Sequence, residues 1–452
     1  MEYLLLFFFT LSILFPVVHS IYCLPLFQKK RNSLKNLVTR QNGISILVPC
    51  YNEKDIIETS VTSMKNLTYM DAEVVYINDG SSDRTLILLN KLLKLSPCYK
   101  EVPRELEYEN VKMFYQSQIH PNIYVADKKN GGKADALNAG IEYADKSVIV
   151  TLDADTILND DALNAVNMAF QDENVVAAGG MVHVLQTKVV QPLYGLSLSK
   201  ANMLVRAQTL DFLKAFYVNK VSLSRFHALA VISGAFGIFT KKALLDVGGY
   251  RATIGEDIDI TLKMQKYISK NKKRKVMLIP DAVCYTELPE TVKDLFKQRV
   301  CWQKAFVDCL FYFAPFLLKS LFKKPVSFFY LFEGFLSGTL AVYFMTGVLL
   351  FDLISGEFFS LSFLLIYTLF IFILGYVYDV LAIEMSDRHG YSFQDSDRYK
   401  LLKTIFFDIF IYRFITIFSV IYGTIGYFFN KKSWNKVART GRNYDTEVKS
   451  AA

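Results

Sequence analysis

The sequence predicts an α/β domain, with a Rossmann-like and mostly parallel sheet, joined to an α-helical membrane part. Two observations support this fold class. Short β-branched runs alternate with amphipathic helical patterns across residues 43–290, and long apolar runs lie on both sides of that region. Strands that alternate with helices usually form a parallel sheet covered by helices. Apolar runs of about 20 residues are long enough to cross a bilayer.

Composition and charge agree with a membrane protein. The 452-residue chain is 52% hydrophobic and has a net charge of +8. Its basic residues cluster beside the apolar runs, at residues 29–31 and 319–324. This placement indicates cytoplasmic charge that flanks a membrane rather than a nucleic-acid face, so no nucleic-acid partner is expected. Six cysteines are scattered without a CxxC pair, which argues against a disulfide framework or a zinc site.

The apolar runs predict the membrane topology. Residues 1–28 are interpreted as an uncleaved transmembrane anchor, because no basic region precedes the run as in a signal peptide. The basic residues after it place the N-terminus outside and residues 43–290 in the cytoplasm. Residues 291–322 are predicted to form amphipathic interface helices, and residues 326–351 and 358–383 to form transmembrane helices. The predicted segments are completed by residues 404–429 and a basic tail, residues 430–452.

The run at residues 404–429 leaves three arrangements open. A single crossing would carry the basic tail to the outer side, against the positive-inside rule. Asp408 and Arg413 also lower the apolar quality of the run. A re-entrant helix, an interfacial helix and a true span that breaks the charge rule are all compatible with the sequence.

Polar motifs follow the predicted strands. PCYNE at residues 49–53 follows the first strand and opens a helix, and NDGSSD at residues 78–83 follows the second. Each motif alone is ordinary turn chemistry. Two such strand ends side by side could hold a planar base between Tyr51 and a carboxylate. KNGGKADALN at residues 129–138 places two glycines and Lys133 at a helix start, where a phosphate could bind; a solvated turn is the alternative.

Three further motifs contain acidic or aromatic side chains. In TLDAD, residues 151–155, Asp153 and Asp155 lie two apart on a predicted extended segment and could share Mg²⁺ or Mn²⁺. An acidic helix cap is the alternative. GEDID at residues 255–259 would alone indicate a helix N-terminus. QRVCW at residues 298–302 places Gln298 and Trp302 on one helix face. A simple membrane-interface helix would also carry such a tryptophan and is the alternative.

In their order and spacing these six motifs resemble the family 2 glycosyltransferases with a GT-A fold, and in particular the processive membrane branch of polysaccharide synthases. The resemblance covers residues 44–302 and the membrane arrangement. It implies that Pro49, Tyr51, Glu53, Asp79, Lys133 and Asp153 bind a nucleotide sugar, that Asp155 binds Mg²⁺ or Mn²⁺, that Asp257 is the general base, and that Gly234, Glu256, Gln298, Arg299 and Trp302 contact the acceptor or the diphosphate.

The resemblance implies inverting transfer from a UDP-sugar, expected to be UDP-N-acetylglucosamine, to extend a β-linked polysaccharide at the cytoplasmic face of a bacterial inner membrane. The implied partners are a saccharide or lipid acceptor, membrane lipids, and small membrane or export subunits. Two alternatives stay open: addition of one or a few sugars to a lipid, and an inactive membrane scaffold. The intact Asp153, Asp155 and Asp257 argue against the scaffold.

The sequence departs from the family pattern at Cys301, where the family has an arginine directly before the tryptophan. The lost cation is expected to weaken binding of the diphosphate, and with it processivity, unless Arg299 or a basic neighbour such as Lys304 substitutes for it. The alternative is that Cys301 packs against the membrane-facing side of its helix, as small thiols often do. The segment 434–439 near the C-terminus resembles a Trp/Arg element of the same branch.

Overall fold

A computed structural model describes residues 2–24, 41–191, 195–271, 273–356, 361–430 and 446–447. The strands, in chain order, are β1 (Ile44–Cys50), β2 (Ala72–Asp79), β3 (Leu95–Pro97), β4 (Val111–Ser117), β5 (Ile123–Lys128), β6 (Val148–Thr151), β7 (Ile157–Leu158), β8 (Val175–Val184), β9 (Val189–Gln191), β10 (Gly195–Leu196), β11 (Gly237–Thr240), β12 (Lys275–Thr286), β13 (Ser392–Phe393) and β14 (Thr446–Glu447). Ten of them form one sheet in the order β3-β4-β5-β2-β1-β6-β11-β8-β12-β7.

The centre of this sheet is parallel, as the sequence predicted. Strands β5, β2, β1 and β6 run parallel to one another, and β8 pairs with β12 in parallel. Strand β11 inserts antiparallel between β6 and β8. Every residue of β2 and of β8 is buried, because helices cover both faces of the sheet.

The register gathers the motifs at one edge of the sheet. Cys50 lies opposite Asn78 across β1 and β2, and Asp79 lies opposite Lys128 across β2 and β5. Thr151, the last residue of β6, pairs with Gly237 of β11. The loops that follow β1, β2, β5 and β6 therefore lie side by side, where ligands bind in parallel α/β sheets.

The helices, in chain order, are α1 (Glu2–Tyr22), α2 (Ile57–Lys65), α3 (Thr85–Leu93), α4 (Lys133–Tyr143), α5 (Ala162–Ala169), α6 (Met203–Leu213), α7 (Val221–Arg225), α8 (Lys241–Asp246), α9 (Glu256–Ile268), α10 (Val292–Lys319), α11 (Pro325–Phe328), α12 (Ala341–Ser355), α13 (Leu361–Arg388), α14 (Arg398–Phe407) and α15 (Arg413–Phe429). Three π-helical segments (Lys214–Lys220, Phe329–Leu340 and Asp408–Tyr412) join α6 to α7, α11 to α12 and α14 to α15. Short 3₁₀ turns occur at Leu185–Thr187 and Asp395–Asp397.

Within the described residues, four helical stretches are long and apolar enough to cross a membrane: Tyr3–Tyr22, Pro325–Ser355, Thr368–Arg388 and Asp395–Phe429. They overlap the four apolar runs of the sequence, with different bounds. The basic residues 29–31 and the segment 434–439 lie outside the described residues. All six cysteines are described, and all six are free.

Helix α10 connects the sheet domain to the apolar helices. Its inner face packs on α9 in a core that includes Leu262, Ala305 and Leu310. The two helices approach so closely that a Cβ on Gly255 would lie 2.5 Å from the Cβ of Ala305. Any larger residue at 255 would therefore push α10 away from the start of α9.

Asp308 of α10 links three parts of the chain. Its carboxylate accepts hydrogen bonds from Arg251 at 2.9 Å, Thr253 at 2.8 Å and Tyr427 at 3.1 Å. Arg251 also pairs with the fully buried Asp259 at 2.6 Å. This network joins the loop before α9, helix α10 and the end of α15.

We expect Asp308→Ala to lower the thermal unfolding temperature of the detergent-solubilised protein. The substitution removes the carboxylate that Arg251, Thr253 and Tyr427 share, and breaking one partner of a buried pair typically costs about 3–5 kcal/mol. Intrinsic fluorescence during heating gives the measurement, with the exposed Glu101→Ala as the matched control. Equal unfolding temperatures for the two variants would contradict the role of the network.

Candidate active site

The loops after β1 and β2 are locked together by Asn52. Its side-chain oxygen accepts a hydrogen bond from the backbone N–H of Ser82 at 2.8 Å, and its own N–H donates to the hydroxyl of Ser81 at 3.0 Å. The neighbouring N–H of Glu53 donates to Thr85 at 2.8 Å. Tyr51 remains 46% exposed, so its ring is accessible to a base. Helix α2 begins only at Ile57, later than predicted.

Asp79 has a different environment from the one expected of a base-binding carboxylate. It is buried, and it accepts hydrogen bonds from Lys128 at 2.6 Å and from the N–H groups of Gly131 at 3.0 Å and Gly132 at 2.8 Å. Its carboxylate thus holds the glycine loop before α4. A glycine is required at position 80, where φ is +65° and a Cβ would lie 2.8 Å from the backbone N of Asn130.

Lys128 is a residue that the sequence analysis missed. Its side chain is fully buried and pairs with both Asp79 and Asp135. A buried ammonium is costly without such partners. A lysine at the end of a buried strand, three residues before a pair of glycines, was the available signal.

Lys133 lies at the centre of the site. Its ammonium contacts Asp153 at 2.7 Å and Glu256 at 2.8 Å. Burial opposes the charged form, but the two carboxylates outweigh it and hold the pKa of Lys133 well above its usual range. The first turn of α4, the loop after β6 and the first turn of α9 are therefore joined by one cation.

Asp153 and Asp155 do not lie on an extended segment, and the prediction of that geometry was wrong. Strand β6 ends at Thr151, and the following residues turn, with the N–H of Thr156 donating to the carbonyl of Asp153 at 3.0 Å. Asp153 pairs with Lys133, while Asp155 is buried. Asp155 is thus the residue of the pair that fits the predicted metal ligand.

The charge of the site fits a divalent cation. Asp153, Asp155, Glu256 and Asp257 bring four carboxylates near the ammonium groups of Lys133 and Lys220. No group of three or more His, Cys, Asp or Glu side chains with metal-ligand geometry occurs in the described ranges. A hard cation here would take one carboxylate from the protein and further oxygens from a diphosphate and water, as Mg²⁺ commonly does.

Asp257 has the properties of a base that works near neutral pH. Burial, and then the neighbouring Glu256, raise its pKa to about 6, against the opposing effects of Lys133, the Ile258 N–H and Lys220. Gly234 lies beside it: a Cβ there would be 3.1 Å from the Lys133 ammonium and 3.7 Å from the Cβ of Asp257. Lys133, Gly234, Glu256 and Asp257 line one cleft together with Thr151 and Tyr250.

Lys220 is a second cation that the sequence analysis missed. It ends the π-helical segment Lys214–Lys220, and its ammonium lies 4.1 Å from the centre of the Phe216 ring. Burial lowers its pKa to about 8, although Asp257 favours the charged form. No sequence pattern marked it, because its position depends on how α6 and α7 pack against the site.

On α10, Arg299 of the QRVCW motif is bound within the protein, whereas Gln298 and Trp302 offer groups to a ligand. Arg299 is bound to Asp211 and to the hydroxyl of Tyr412, each at 2.9 Å, and stacks 4.1 Å from the centre of the Trp302 ring. This geometry turns it toward α6 and the last helix rather than toward a diphosphate. Trp302 itself is 44% exposed. The buried side-chain oxygen of Gln298 has no hydrogen-bond partner among the described residues, which leaves it available for a ligand.

Cys301 lies close enough to two acidic residues of the active site for them to affect its thiol. Burial raises the pKa of its thiol to about 11, and Glu256 and Asp257 add to the effect while Lys304 opposes it. Lys304 donates to the carbonyl of Asn430 at 2.9 Å. The effect of these two acids favours a position near the active site over the membrane-facing alternative, and Arg299 and Lys304, the expected substitutes for the family arginine, are engaged elsewhere.

Two family models match the chain. Glycosyl transferase family 2 matches residues 45–233, and glycosyl transferase family group 2 matches residues 148–378. The second match spans half of the chain. This chain belongs to the family 2 glycosyltransferases. It is a glycosyltransferase with a GT-A domain, as the resemblance implied.

Named relatives and a solved structure agree with this assignment. The chain is 32% identical over 302 residues to a poly-beta-1,6-N-acetyl-D-glucosamine synthase of Staphylococcus epidermidis, covering 66% of this chain and 63% of the relative. It is 30% identical over 307 residues to the synthase of the same name from Staphylococcus aureus, covering 65% and 64%. The match thus spans somewhat less than two thirds of these relatives. A mannosyltransferase from Pyrobaculum calidifontis, solved with GDP-Man and Mn²⁺, has the same fold, with a TM-score of 0.54 at 15% identity over 95% of this chain and 99% of that one.

Proposed function

We propose that this glycosyltransferase transfers sugar from a UDP-sugar, with UDP-N-acetylglucosamine as the donor, and extends a β-linked polysaccharide at the cytoplasmic face of a bacterial inner membrane. The main support for this proposal comes from Asp257. A carboxylate with a pKa raised to about 6 lies in a cleft with Lys133 and Gly234, at the start of a helix that packs on the apolar part of the chain. The 30–32% identity to the polysaccharide synthases supports the choice of donor and product.

The reaction follows from the positions of the charged groups. Asp257 takes the proton of the acceptor hydroxyl, and the hydroxyl oxygen attacks the anomeric carbon from the face opposite the departing UDP, so the configuration inverts. Lys133 contacts Asp153, which binds the nucleotide, and Glu256, which lies beside the base. It therefore orients the diphosphate relative to Asp257. Tyr51, with its exposed ring, stacks on the uracil, and Pro49 and Glu53 shape the same pocket.

The acceptor lies along α10. Trp302 offers an exposed aromatic surface, and Gln298 a buried oxygen without a partner in the described part of the chain. Saccharides bind on such combinations of aromatic faces and hydrogen-bonding groups. Because α10 continues toward the apolar helices, a growing chain would leave the site in the direction of the membrane, where small export subunits would join. This path favours a polymer over the addition of a single sugar to a lipid.

A divalent cation held by Asp155 would neutralise charge on the departing diphosphate, an effect worth several kcal/mol. The excess of carboxylates over ammonium groups around the cleft fits that role. Asp79 instead keeps the glycine loop in place, so we assign it an indirect part in nucleotide binding.

The proposed donor and product are tested by incubating purified protein in lipid nanodiscs with a panel of radiolabelled UDP-sugars and sizing the products. We expect incorporation from UDP-N-acetylglucosamine into material that is longer than a few sugars and is cleaved by a β-N-acetylglucosaminidase. Products of one or two sugars in the lipid fraction would favour the lipid-acceptor function. Binding of UDP without transfer from any donor would favour the scaffold.

We expect kcat/KM to fall as the pH drops through about 6, because Asp257 must be ionised to accept a proton and its pKa is raised to that value. Asp257→Asn should lower the transfer rate by roughly 10²–10⁴-fold and abolish this pH dependence. UDP affinity, measured by calorimetry, should stay within a few-fold.

A second variant distinguishes the loss of the base from a loss of activity through general damage to the structure. Lys220→Met removes a cation that favours ionised Asp257, so the acidic limb should move to higher pH by roughly one pH unit, while Lys220→Arg should leave it in place. If the acidic limb of the pH profile is identical in the unmodified protein, Asp257→Asn and Lys220→Met, Asp257 is not the base.

We expect excess EDTA to abolish transfer and Mg²⁺ or Mn²⁺ to restore it. Asp155→Ala should prevent the restoration, because it removes the buried carboxylate that fits the cation. Asp160→Ala, which removes an exposed acid from the following turn, is the matched control. UDP binding with and without Mn²⁺ provides a readout independent of turnover. Full transfer in EDTA would refute the metal requirement.

A further inference from the structure

The last apolar helical stretch, Asp395–Phe429, contacts the catalytic domain at its beginning. The Asp397 carboxylate accepts a hydrogen bond from the N–H of Leu198 at 2.7 Å. Just before it, β13 pairs with β10, and Tyr391 accepts a hydrogen bond from Asn159 at 3.2 Å. The chain therefore enters this stretch on the same side as the active site.

The same stretch also contacts the catalytic side at its end. The hydroxyl of Tyr427 donates to Asp308, which is bound to Arg251 in the loop before α9. The carbonyl of Asn430 accepts from Lys304 of α10 at 2.9 Å. Lys304 is buried and influences Cys301, close to Glu256. The end of the last helix is thus close to the active site.

Contacts to the catalytic domain continue between these two ends. Asp408 pairs with Lys214 at 2.7 Å, and Tyr412 binds Arg299 at 2.9 Å. Further along, Gln303 of α10 donates to Thr424 at 3.0 Å. A Cβ on Gly423 would lie 2.7 Å from the Cβ of Gln303, so α15 packs tightly along α10. A helix that crossed a roughly 30 Å hydrocarbon layer would carry one end away from this domain.

The opposite face of the last helix is apolar and exposed. Its exposed large side chains recur at spacings of three, four and seven: Phe406, Phe410, Ile411, Phe414, Phe418, Tyr422, Ile425, Phe428 and Phe429. Such a stripe would not face water on a soluble protein. Next to it, Phe410 contacts Phe372 of α13, and Tyr343 of α12 donates to the carbonyl of Ile421 at 2.7 Å. The stripe is therefore continuous with two helices of membrane-spanning length.

We propose that Asp395–Phe429 does not cross the bilayer but lies along its catalytic side, with the apolar stripe in contact with lipid hydrocarbon and the opposite face on α6 and α10. The basic tail that follows then remains on the side of the active site. This arrangement satisfies the positive-inside rule, which a single crossing would break. An in-plane helix of this kind is bound by its buried apolar area. The inference rests on the membrane placement proposed above, but not on the transfer activity.

The test uses single added cysteines in the full-length chain and a maleimide that does not cross membranes. Thr62→Cys marks the surface of the catalytic domain, Ser360→Cys the connection between α12 and α13, and Ser450→Cys the tail. The unmodified chain, with its six native cysteines, gives the baseline. Labelling is compared in intact cells, in inverted vesicles and after solubilisation, where all three added cysteines should react.

We expect Ser450→Cys to be labelled in the same preparation as Thr62→Cys, and Ser360→Cys in the opposite one. Labelling of Ser450→Cys together with Ser360→Cys, on the side opposite Thr62→Cys, would show that the helix crosses and would overturn the inference. Because the comparison is relative, an inverted orientation of the whole protein would contradict the proposed cytoplasmic active site without affecting the position of the tail.

Discussion

The ammonium of Lys133, held between Asp153 and Glu256, is the interaction on which the site depends. It joins three segments far apart in sequence: the glycine loop before α4, the turn after β6 and the start of α9. Removing this cation would leave the two carboxylates close together beside Asp257 and Asp155. The same geometry explains the raised pKa of Asp257, because burial and Glu256 outweigh a lysine that is shared with two other acids. A base that ionises near pH 6 results from this sharing.

The second constraint couples Asp257, the proposed base, to the apolar part of the molecule. Asp257 lies in the first turn of α9, and the start of that helix packs on α10 through Gly255 and Ala305. Arg251 reinforces the contact by pairing with Asp259 and Asp308. A displacement of α10 would therefore move the base as well as Gln298 and Trp302. This mechanical link suits the proposed position of the acceptor between the sheet domain and the bilayer.

The sequence predicted well what depends on local pattern and strand order. β-branched runs located β1, β2, β5 and β6, and the rule that ligands lie beyond the ends of parallel strands brought the motifs together. The turn at Asp153–Asp155 was missed because a carboxylate pair two residues apart fits both an extended segment and a turn. Lys128, Lys220 and Asp308 were missed for another reason: their roles arise from packing between distant elements. Arg299 was assigned to the diphosphate by family position, and its actual partners, Asp211 and Tyr412, lie 88 and 113 residues away.

The departure at Cys301 is best understood from the cations around the site. The family arginine would stand at a position where Glu256 and Asp257 act on the side chain. Neither Arg299 nor Lys304 is available to replace it, because Arg299 secures α6 and the last helix while Lys304 caps the end of α15. Lys133 is shared between two carboxylates. Lys220 favours the ionised form of Asp257 and has no ion pair within the described part of the chain, so it is the cation best placed to offset the lost charge. The side chain at position 301 therefore supplies no positive charge to the site, and Lys133 and Lys220 are the cations that act on Asp257.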